Sequence, residues 1–172
     1  MSKIITFASS LCAVLLTTAC ATTPRVGSGV EARLEARSGS SVSGTVAFSQ
    51  VGDKLRIEAQ VAGLTPGSHG FHIHESGDCS ATDASSAKGH FNPGGKPHGD
   101  HSGSERHAGD MPNLVADASG NASLKGELSL LTLGSDANSI VGRSVVIHAD
   151  PDDYKSQPAG NSGKRIACGT IR

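Results

Sequence analysis

Histidine is the residue type whose number and spacing in this chain most strongly suggest chemistry. Seven of the eight histidines lie between His69 and His107. His72 and His74 are two residues apart in a short apolar run, so on a strand their imidazoles would project from the same face. Zinc and copper both accept imidazole ligands. For this pair taken alone, the alternative is two solvated histidines on a polar face.

Further side chains of the ligand type favour a metal site. They are His90, His98, His107, Asp110 and His148. Three imidazoles and one carboxylate make a closed tetrahedral zinc set, whereas redox copper needs nitrogen ligands and a position open to substrate. Seven candidate ligands exceed what one four-coordinate ion uses, but two ions that share a bridging imidazole would use all seven.

Two histidines are left over by this count. We interpret His69 as a core histidine that is hydrogen-bonded to backbone. We interpret His101 as a solvated loop residue, with a spare metal ligand as the alternative.

The overall composition is typical of one ordinary globular domain. The chain has 172 residues and 36% hydrophobic content, and its 15 basic and 16 acidic residues give a formal net charge of −1. A protein that binds nucleic acid or another polyanion needs a basic excess, so this class is excluded. The apolar content is too high for a disordered chain, and no apolar run reaches membrane-spanning length.

Residues 1–19 are typical of an export signal. Lys3 supplies a short basic region, and residues 4–16 form an apolar stretch that is too short to span a membrane. This segment is expected to be removed and does not contribute to the fold.

The cleavage site has two interpretations. Residues 16–20 resemble a bacterial lipobox, which predicts a cut before Cys20 and a lipid on that cysteine. The alternative is a soluble secreted form that is cut after Ala21. Residues 20–29, rich in Thr, Gly and Ser, then form a flexible tether, and residues 30–172 form the folded domain.

The cysteine count supports export. Cys12 leaves with the signal and Cys20 carries lipid or is lost, so Cys79 and Cys168 remain. Two cysteines in an exported chain predict one disulfide, with two buried thiols as the alternative. The bond would close a loop of about 90 residues, worth about 4–5 kcal/mol in the chain-entropy estimate. We expect the protein in the periplasm or cell envelope of a bacterium, held at a membrane only through the lipid.

Alternation with period two predicts half-buried strands through the domain. In residues 55–61, for example, Leu, Ile, Ala and Val alternate with Arg, Glu and Gln. Eight strands are expected, at about residues 30–37, 42–48, 55–61, 69–74, 113–116, 122–128, 143–148 and 165–171. Short strands with glycine-rich turns indicate an all-β fold, an eight-stranded antiparallel Greek-key barrel or sandwich of immunoglobulin-like architecture.

Two long segments lack this alternation. Residues 76–111 and 150–164 are polar and rich in Gly, Pro, Asp and His. Loops of this length in a compact domain are usually functional or disordered. The first holds four histidines, so we expect bound ligands to order it.

Five motifs, in this order, resemble the copper–zinc superoxide dismutase family. They are GFHIH, GDC, GHFNP, RHAGD and GNSGKRIACG, and the resemblance covers residues 31–172. It implies an enzyme that converts superoxide to dioxygen and hydrogen peroxide, with one copper and one zinc ion per subunit. The 79–90 segment is longer and the 148–165 segment shorter than in the eukaryotic enzymes, which is similar to the bacterial branch.

The resemblance also implies a role for each candidate residue. The copper ligands are His72, His74, His90 and His148, and the zinc ligands are His90, His98, His107 and Asp110. Two residues are catalytic: His90 bridges the ions and donates a proton, and Arg165 attracts the anionic substrate at the mouth of the copper channel. Asp152 connects His72 to His98. Cys79 and Cys168 form the disulfide within the subunit.

Two residues depart from the family pattern. Ala159 stands where a threonine is common, and Lys164 precedes the channel arginine, so the channel wall and its charge differ from the pattern. Two other classes compete with the enzyme: a copper or zinc store on the same fold, and a structural lipoprotein. A store is expected to lack some ligands or the arginine, and a structural lipoprotein has no need of this ligand series. The subunit is expected to be a monomer or a homodimer.

Overall fold

The computed structural model describes Met1 and residues 29–172. Apart from Met1, the predicted signal peptide lies outside the described residues, as do Cys20 and the tether up to residue 28. Among the residues that are described, no helix has the length and apolar character needed to cross a membrane.

Nine β-strands and one short 3-10 turn, Ser85–Ala87, make up the described domain. The strands are β1 (Val30–Ala36), β2 (Ser43–Val51), β3 (Lys54–Ala62), β4 (Gly67–His69), β5 (Phe71–His74), β6 (Leu114–Ala116), β7 (Ala122–Leu128), β8 (Ser144–His148) and β9 (Arg165–Thr170). All pairings between them are antiparallel. Their spatial order is β4-β6-β7-β3-β2-β1-β9-β8-β5, and the crossovers within it are those of a Greek key.

The two edge strands of this order, β4 and β5, are separated in the chain only by Gly70. The sheet therefore curls into a nearly closed barrel, with its two edge strands next to each other. The Gly70 N–H donates to the Asp150 carbonyl, and its carbonyl accepts from the His148 N–H, both at 2.9 Å. A side chain at Gly70 would collide with Ser162, so the chain can pass this point only as glycine.

The expected all-β fold and the antiparallel Greek-key barrel are confirmed, but the predicted number of eight strands is wrong by one. Residues 69–74 were expected as a single strand and are observed as β4 and β5. Alternation continues across Gly70, so periodicity does not reveal that β4 pairs with β6 whereas β5 pairs with β8.

The barrel interior is built from the apolar half of each alternating pattern. In β3 the buried and exposed residues alternate strictly, and Leu55 and Ile57 are fully buried. Phe71 and Ile73 of β5 enter the same core, and each such side chain stabilises the fold by about 1.5–3 kcal/mol. His72 and His74 therefore point to the opposite face of β5, where they are nevertheless buried.

The long loop from β5 to β6 pairs along the free edge of β5. The Ile73 N–H donates to the Gly109 carbonyl (2.9 Å), and the Ile73 carbonyl accepts from the Phe91 N–H (2.8 Å). Isolated bridges join His74 to His90 and His72 to Asp110. Backbone hydrogen bonds thus bring the distant histidines of the loop next to the two on the strand.

Cys79 and Cys168 form the predicted disulfide, with their Cα atoms 5.7 Å apart. It ties the loop from β5 to β6 to strand β9. The bond packs in a small buried cluster with Ala84, Ala87 and Val146. The loop is therefore anchored by a covalent bond close to Arg165, the first residue of β9.

Candidate metal centre

Strands β5 and β8 place three histidines on one face. His72 is paired with Val146 in the antiparallel register, and His148 lies two residues beyond Val146 on the same face. The ring centroid of His148 is 5.0 Å from that of His72 and 5.7 Å from that of His74. Two adjacent strands thus supply a rigid cluster of imidazoles.

The described residues contain two groups of four side chains whose ligand atoms all lie within 4.8 Å of one another. The first group is His72, His74, His90 and His148; the second is His90, His98, His107 and Asp110. These are the two sets that the resemblance assigned to copper and to zinc. The fold brings each set together with His90 in both, and the ion that each set holds stays a prediction.

Hydrogen bonds fix which ring nitrogen of each histidine is free in the first group. The donors are His72 Nε2 to Asp152 Oδ2 (2.9 Å), His74 Nδ1 to the Lys88 carbonyl (2.9 Å) and His148 Nδ1 to the Gly163 carbonyl (3.3 Å). Carbonyls and carboxylates only accept, so the opposite nitrogen of each ring keeps a free lone pair. Among the described residues those nitrogens have no hydrogen-bond partner, and neither has His90 Nε2.

Asp110 stands at the centre of the second group. Its Oδ2 accepts from the backbone N–H groups of His107 (2.9 Å) and Gly99 (3.2 Å). Its Oδ1 lies 2.8 Å from Nδ1 of His90, 3.1 Å from Nδ1 of His98 and 3.3 Å from Nδ1 of His107. Four ligands bound tetrahedrally at zinc distances lie about 3.3 Å from one another, so this spacing fits a small tetrahedral ion.

The donor set as a whole fits two metal ions that share His90. A buried polar atom without a partner costs about 1–3 kcal/mol, and the first group has four such nitrogens facing one another. An ion in each group would satisfy them all, using unprotonated imidazoles that suit both zinc and copper. The seven side chains of the two groups are sufficient to complete both ligand sets.

Burial keeps His90 and His148 neutral. It lowers the pKa of His148 to about 3. It also lowers the pKa of His90 to about 4, against the opposing effect of the hydrogen bond to Asp110. Burial alone would raise the pKa of Asp110, but hydrogen bonds from His107, His90 and His98 hold it well below its ordinary value. Near neutral pH, His90 and His148 are therefore neutral imidazoles, as metal ligands must be. For His98, burial lowers the pKa, but the hydrogen bonds and charges of Asp110 and Asp152 outweigh it and raise the pKa to about 9.

Asp152 connects the two groups. Its Oδ2 accepts from His72 (2.9 Å) and its Oδ1 from Nε2 of His98 (3.0 Å). Burial would raise its pKa, but these two hydrogen bonds hold the pKa well below its ordinary value. The side-chain amide of Asn113 holds the backbone of Asp152 in place. It donates to the Asp152 carbonyl and accepts from the Asp152 N–H, each at 2.9 Å.

Replacing Asp152 by Asn is expected to weaken binding of both metals by about 10–100-fold. Asn has only one side-chain oxygen to accept a hydrogen bond, and its amide nitrogen would face the N–H of one of the two histidines. Either His72 or His98 would therefore lose its partner and its orientation. Competition with a chelator measures the affinity for each ion. Asp153→Asn is the matched control because Asp153 bonds only to its own exposed loop. Unchanged affinity for both ions in the Asp152 variant would contradict the connecting role.

Arg165 lies close to the first group. Burial is the main cause that lowers the pKa of His74 and His148, and the nearby positive charge of the Arg165 guanidinium lowers both further. Its Nη1 donates to the Ala84 carbonyl at 2.7 Å. The side chain is half-buried, and Ala84 belongs to the loop held by the disulfide. Lys164 and Lys155 are exposed.

The two histidines outside the groups differ in burial. His69 is buried, as expected for a core histidine. Its Nδ1 lies 2.8 Å from the His148 carbonyl, and its Nε2 lies 2.8 Å from the carbonyl and 3.3 Å from the hydroxyl of Thr65. The side chain of His101 is 36% exposed and lies 3.5 Å from Asp100. It belongs to neither group of candidate ligands in the described part of the chain.

Three residues that contribute to the centre were not identified from the sequence, because they act through their backbone carbonyls. They are Lys88, Gly163 and Ala84. Lys88 has a φ of 63°, a left-handed conformation uncommon for a non-glycine residue. Every residue has a carbonyl, so no residue type in the sequence could have indicated these three.

A closed antiparallel barrel with two buried ligand groups that share one imidazole defines the protein as a metalloprotein with a paired-metal centre. The sequence model of the family "Copper/zinc superoxide dismutase" matches residues 42–171. The chain belongs to the copper/zinc superoxide dismutase family.

Relatives named as copper–zinc superoxide dismutases agree with this family, and a solved structure shares the fold. The chain is 46% identical over 136 residues to superoxide dismutase [Cu-Zn] 2 of Aquifex aeolicus, covering 76% of this chain and 80% of that protein. It is 42% identical over 140 residues to the extracellular superoxide dismutase [Cu-Zn] of Brugia pahangi, covering 76% and 69%. The crystal structure of the clock protein EA4 superposes with a TM-score of 0.76 at 36% identity, covering 83% of this chain and 92% of that one.

Proposed function

We propose that this chain converts two superoxide anions and two protons to dioxygen and hydrogen peroxide at the paired-metal centre. The observation that carries the proposal is the pair of ligand groups sharing His90, with four unpartnered imidazole nitrogens facing one another in the first group. Copper and zinc are the cofactors of the family to which the chain belongs.

The composition of the two groups supports their division between the ions. The first group contains only imidazoles and lies near Arg165, which suits copper and an anionic substrate. The second group includes Asp110 and forms a closed tetrahedral set, which suits a structural zinc ion. When bound, copper supplies the one-electron exchange with superoxide. His72, His74, His90 and His148 would hold it, and His90, His98, His107 and Asp110 would hold zinc.

His90 is positioned to manage a proton. Its Nδ1 faces Asp110, and its Nε2 faces the first group without a hydrogen-bond partner among the described residues. A proton held at Nε2 would lie where the reduced oxygen species needs one. His90 is therefore proposed as a catalytic residue as well as a ligand.

Arg165 is proposed to attract superoxide. The formal net charge of the chain is −1, so the attraction of an anion must come from local charge. The guanidinium is held in place by the Ala84 carbonyl, with part of its surface open to solvent. Lys164, the next residue along the chain, adds positive charge on the exposed side.

Arg165→Ala is expected to lower the second-order rate constant roughly tenfold, with both metals retained. The loss should be accompanied by a shallower dependence of the rate on ionic strength. Pulse radiolysis over a series of salt concentrations measures both. Arg165→Lys keeps the charge and should preserve the salt dependence. A rate and salt dependence equal to those of the wild type in the Ala variant would remove the guiding role.

The proposed function is tested by superoxide decay with the purified protein, first free of metal and then with copper and zinc restored. We expect fast decay only when both ions are restored. One equivalent of each ion without accelerated decay would instead identify a metal store.

We also propose that the protein is exported, since the chain contains a disulfide and is similar to an enzyme named extracellular. The bacterial periplasm or cell envelope is the proposed location, with residues 1–19 removed and lipid on Cys20. Mass spectrometry of the mature N-terminus distinguishes the lipidated form from one cut after Ala21. Sedimentation of the same sample distinguishes a monomer from a homodimer.

A further inference from the structure

Arg106 is a buried cation that forms no ion pair with a carboxylate of the described residues. The residue is only 6% exposed. Within residues 29–172, its guanidinium forms no ion pair with an Asp or Glu side chain. A buried guanidinium without a counter-charge is costly, so its surroundings call for an explanation.

Most of the hydrogen-bonding capacity of Arg106 is unused. Its Nη1 donates to the His107 carbonyl (3.0 Å), and its Nη2 donates to the Ser129 hydroxyl (3.1 Å). Its buried Nε has no partner in the described part of the chain. An arginine has five N–H donors, so these two bonds leave capacity for a planar, two-oxygen acceptor.

Arg106 forms part of the wall of a cleft of about 240 Å³. Pro93, Ala108 and Leu130 supply apolar walls, and Lys96 and Asn138 contribute polar ones. No Asp or Glu of residues 29–172 lines the cleft. Lys96 is paired with Glu105 at 2.7 Å, and both side chains are about half exposed to solvent. Arg106 is therefore the buried charge in the cleft wall. None of the seven candidate metal ligands lines the cleft.

Leu130, in the cleft wall, is held in an unfavourable conformation. Its φ is 69° and the residue is 53% exposed. A left-handed backbone costs a leucine about 1–3 kcal/mol, and leaving a large apolar side chain in water forgoes its burial. A bound ligand would offset the second cost, because the Leu130 side chain would then pack against the apolar part of that ligand in the cleft.

We propose that this cleft binds a small aliphatic monocarboxylate. The carboxylate would accept from the N–H groups of Arg106 that His107 and Ser129 leave free, in the two-oxygen geometry that guanidinium favours. The short aliphatic tail would pack against Pro93 and Leu130. A carboxylate would supply the counter-charge that the described chain does not place beside Arg106.

Isothermal titration of the metal-loaded protein with sodium butyrate tests the proposal. We expect saturable binding that is at least about tenfold tighter than that of chloride or of uncharged butyramide. Arg106→Met should weaken butyrate binding at least tenfold. Arg56→Met is the matched control, since Arg56 is an exposed arginine on β3 outside the cleft, and it should change the affinity less than twofold.

A second variant keeps the test independent of the folding of the Arg106 variant. The side chain of Asn138 lies in the exposed wall of the cleft. Asn138→Phe should fill the cleft and weaken butyrate binding about tenfold while leaving Arg106 in place. Unchanged butyrate affinity in the Asn138 variant would overturn the proposal. It would be overturned equally if butyrate bound no more tightly than chloride or butyramide.

Discussion

His148→Ala is expected to reduce the superoxide-consuming activity to below about 1% of the wild-type value through loss of copper, with zinc retained. His148 Nε2 is one of the four unpartnered nitrogens of the first group, and His148 is not a member of the second. Removing even a residue that only orients a ligand typically costs 10–100-fold. Loss of a ligand itself should therefore exceed about 100-fold.

The metal content and the activity of the His148 variant are measured on the same sample. Elemental analysis should show about one zinc and little copper per chain, and superoxide decay should be slow. His101→Ala is the matched control, because it removes a histidine that lies outside both groups, and it should keep both metals. The reciprocal variant, His107→Ala, should lose zinc first. Loss of zinc before copper in the His148 variant would show that the ligand sets are wrongly divided.

Removal of the disulfide by the double change of Cys79→Ala and Cys168→Ala is expected to lower the free energy of unfolding by about 4–5 kcal/mol. The two residues are 89 apart in sequence. Reopening so long a loop returns much conformational entropy to the unfolded chain. The loss is a large fraction of the 5–15 kcal/mol that stabilises a typical domain.

The same change should slow the reaction even when metals are saturating. The bond fixes the loop that contains Ala84, whose carbonyl holds Arg165. Denaturant unfolding with metals removed gives the stability effect, and the salt dependence of the rate reports on Arg165. Chemically reduced wild-type protein is the control, because it breaks the crosslink without removing sulfur atoms. A stability loss under about 1 kcal/mol in both samples would contradict the loop-closure argument.

Much of the fold could be predicted from local patterns. The alternation of β3 predicts its buried and exposed residues correctly, because a side-chain period of two leaves each face of a strand with one type of residue. The division of residues 69–74 into β4 and β5 could not be predicted this way. It depends on Gly70 bonding to Asp150 and His148, which are about 80 residues away.

For the candidate site, too, one part could be predicted from the sequence and another part could not. The sequence by itself determined which side chains have ligand chemistry, since His72, His74 and Asp110 have that chemistry in any conformation. The family resemblance of the sequence further implied that His90 is shared and that Asp152 connects His72 to His98. Only the tertiary structure decided the distances at which these groups meet, and that Lys88 contributes through its carbonyl. Residue type sets the atoms that can bind a metal. Their distances and free lone pairs are set by strand register and loop hydrogen bonds between residues far apart in the chain, and these follow from the folding of the whole barrel.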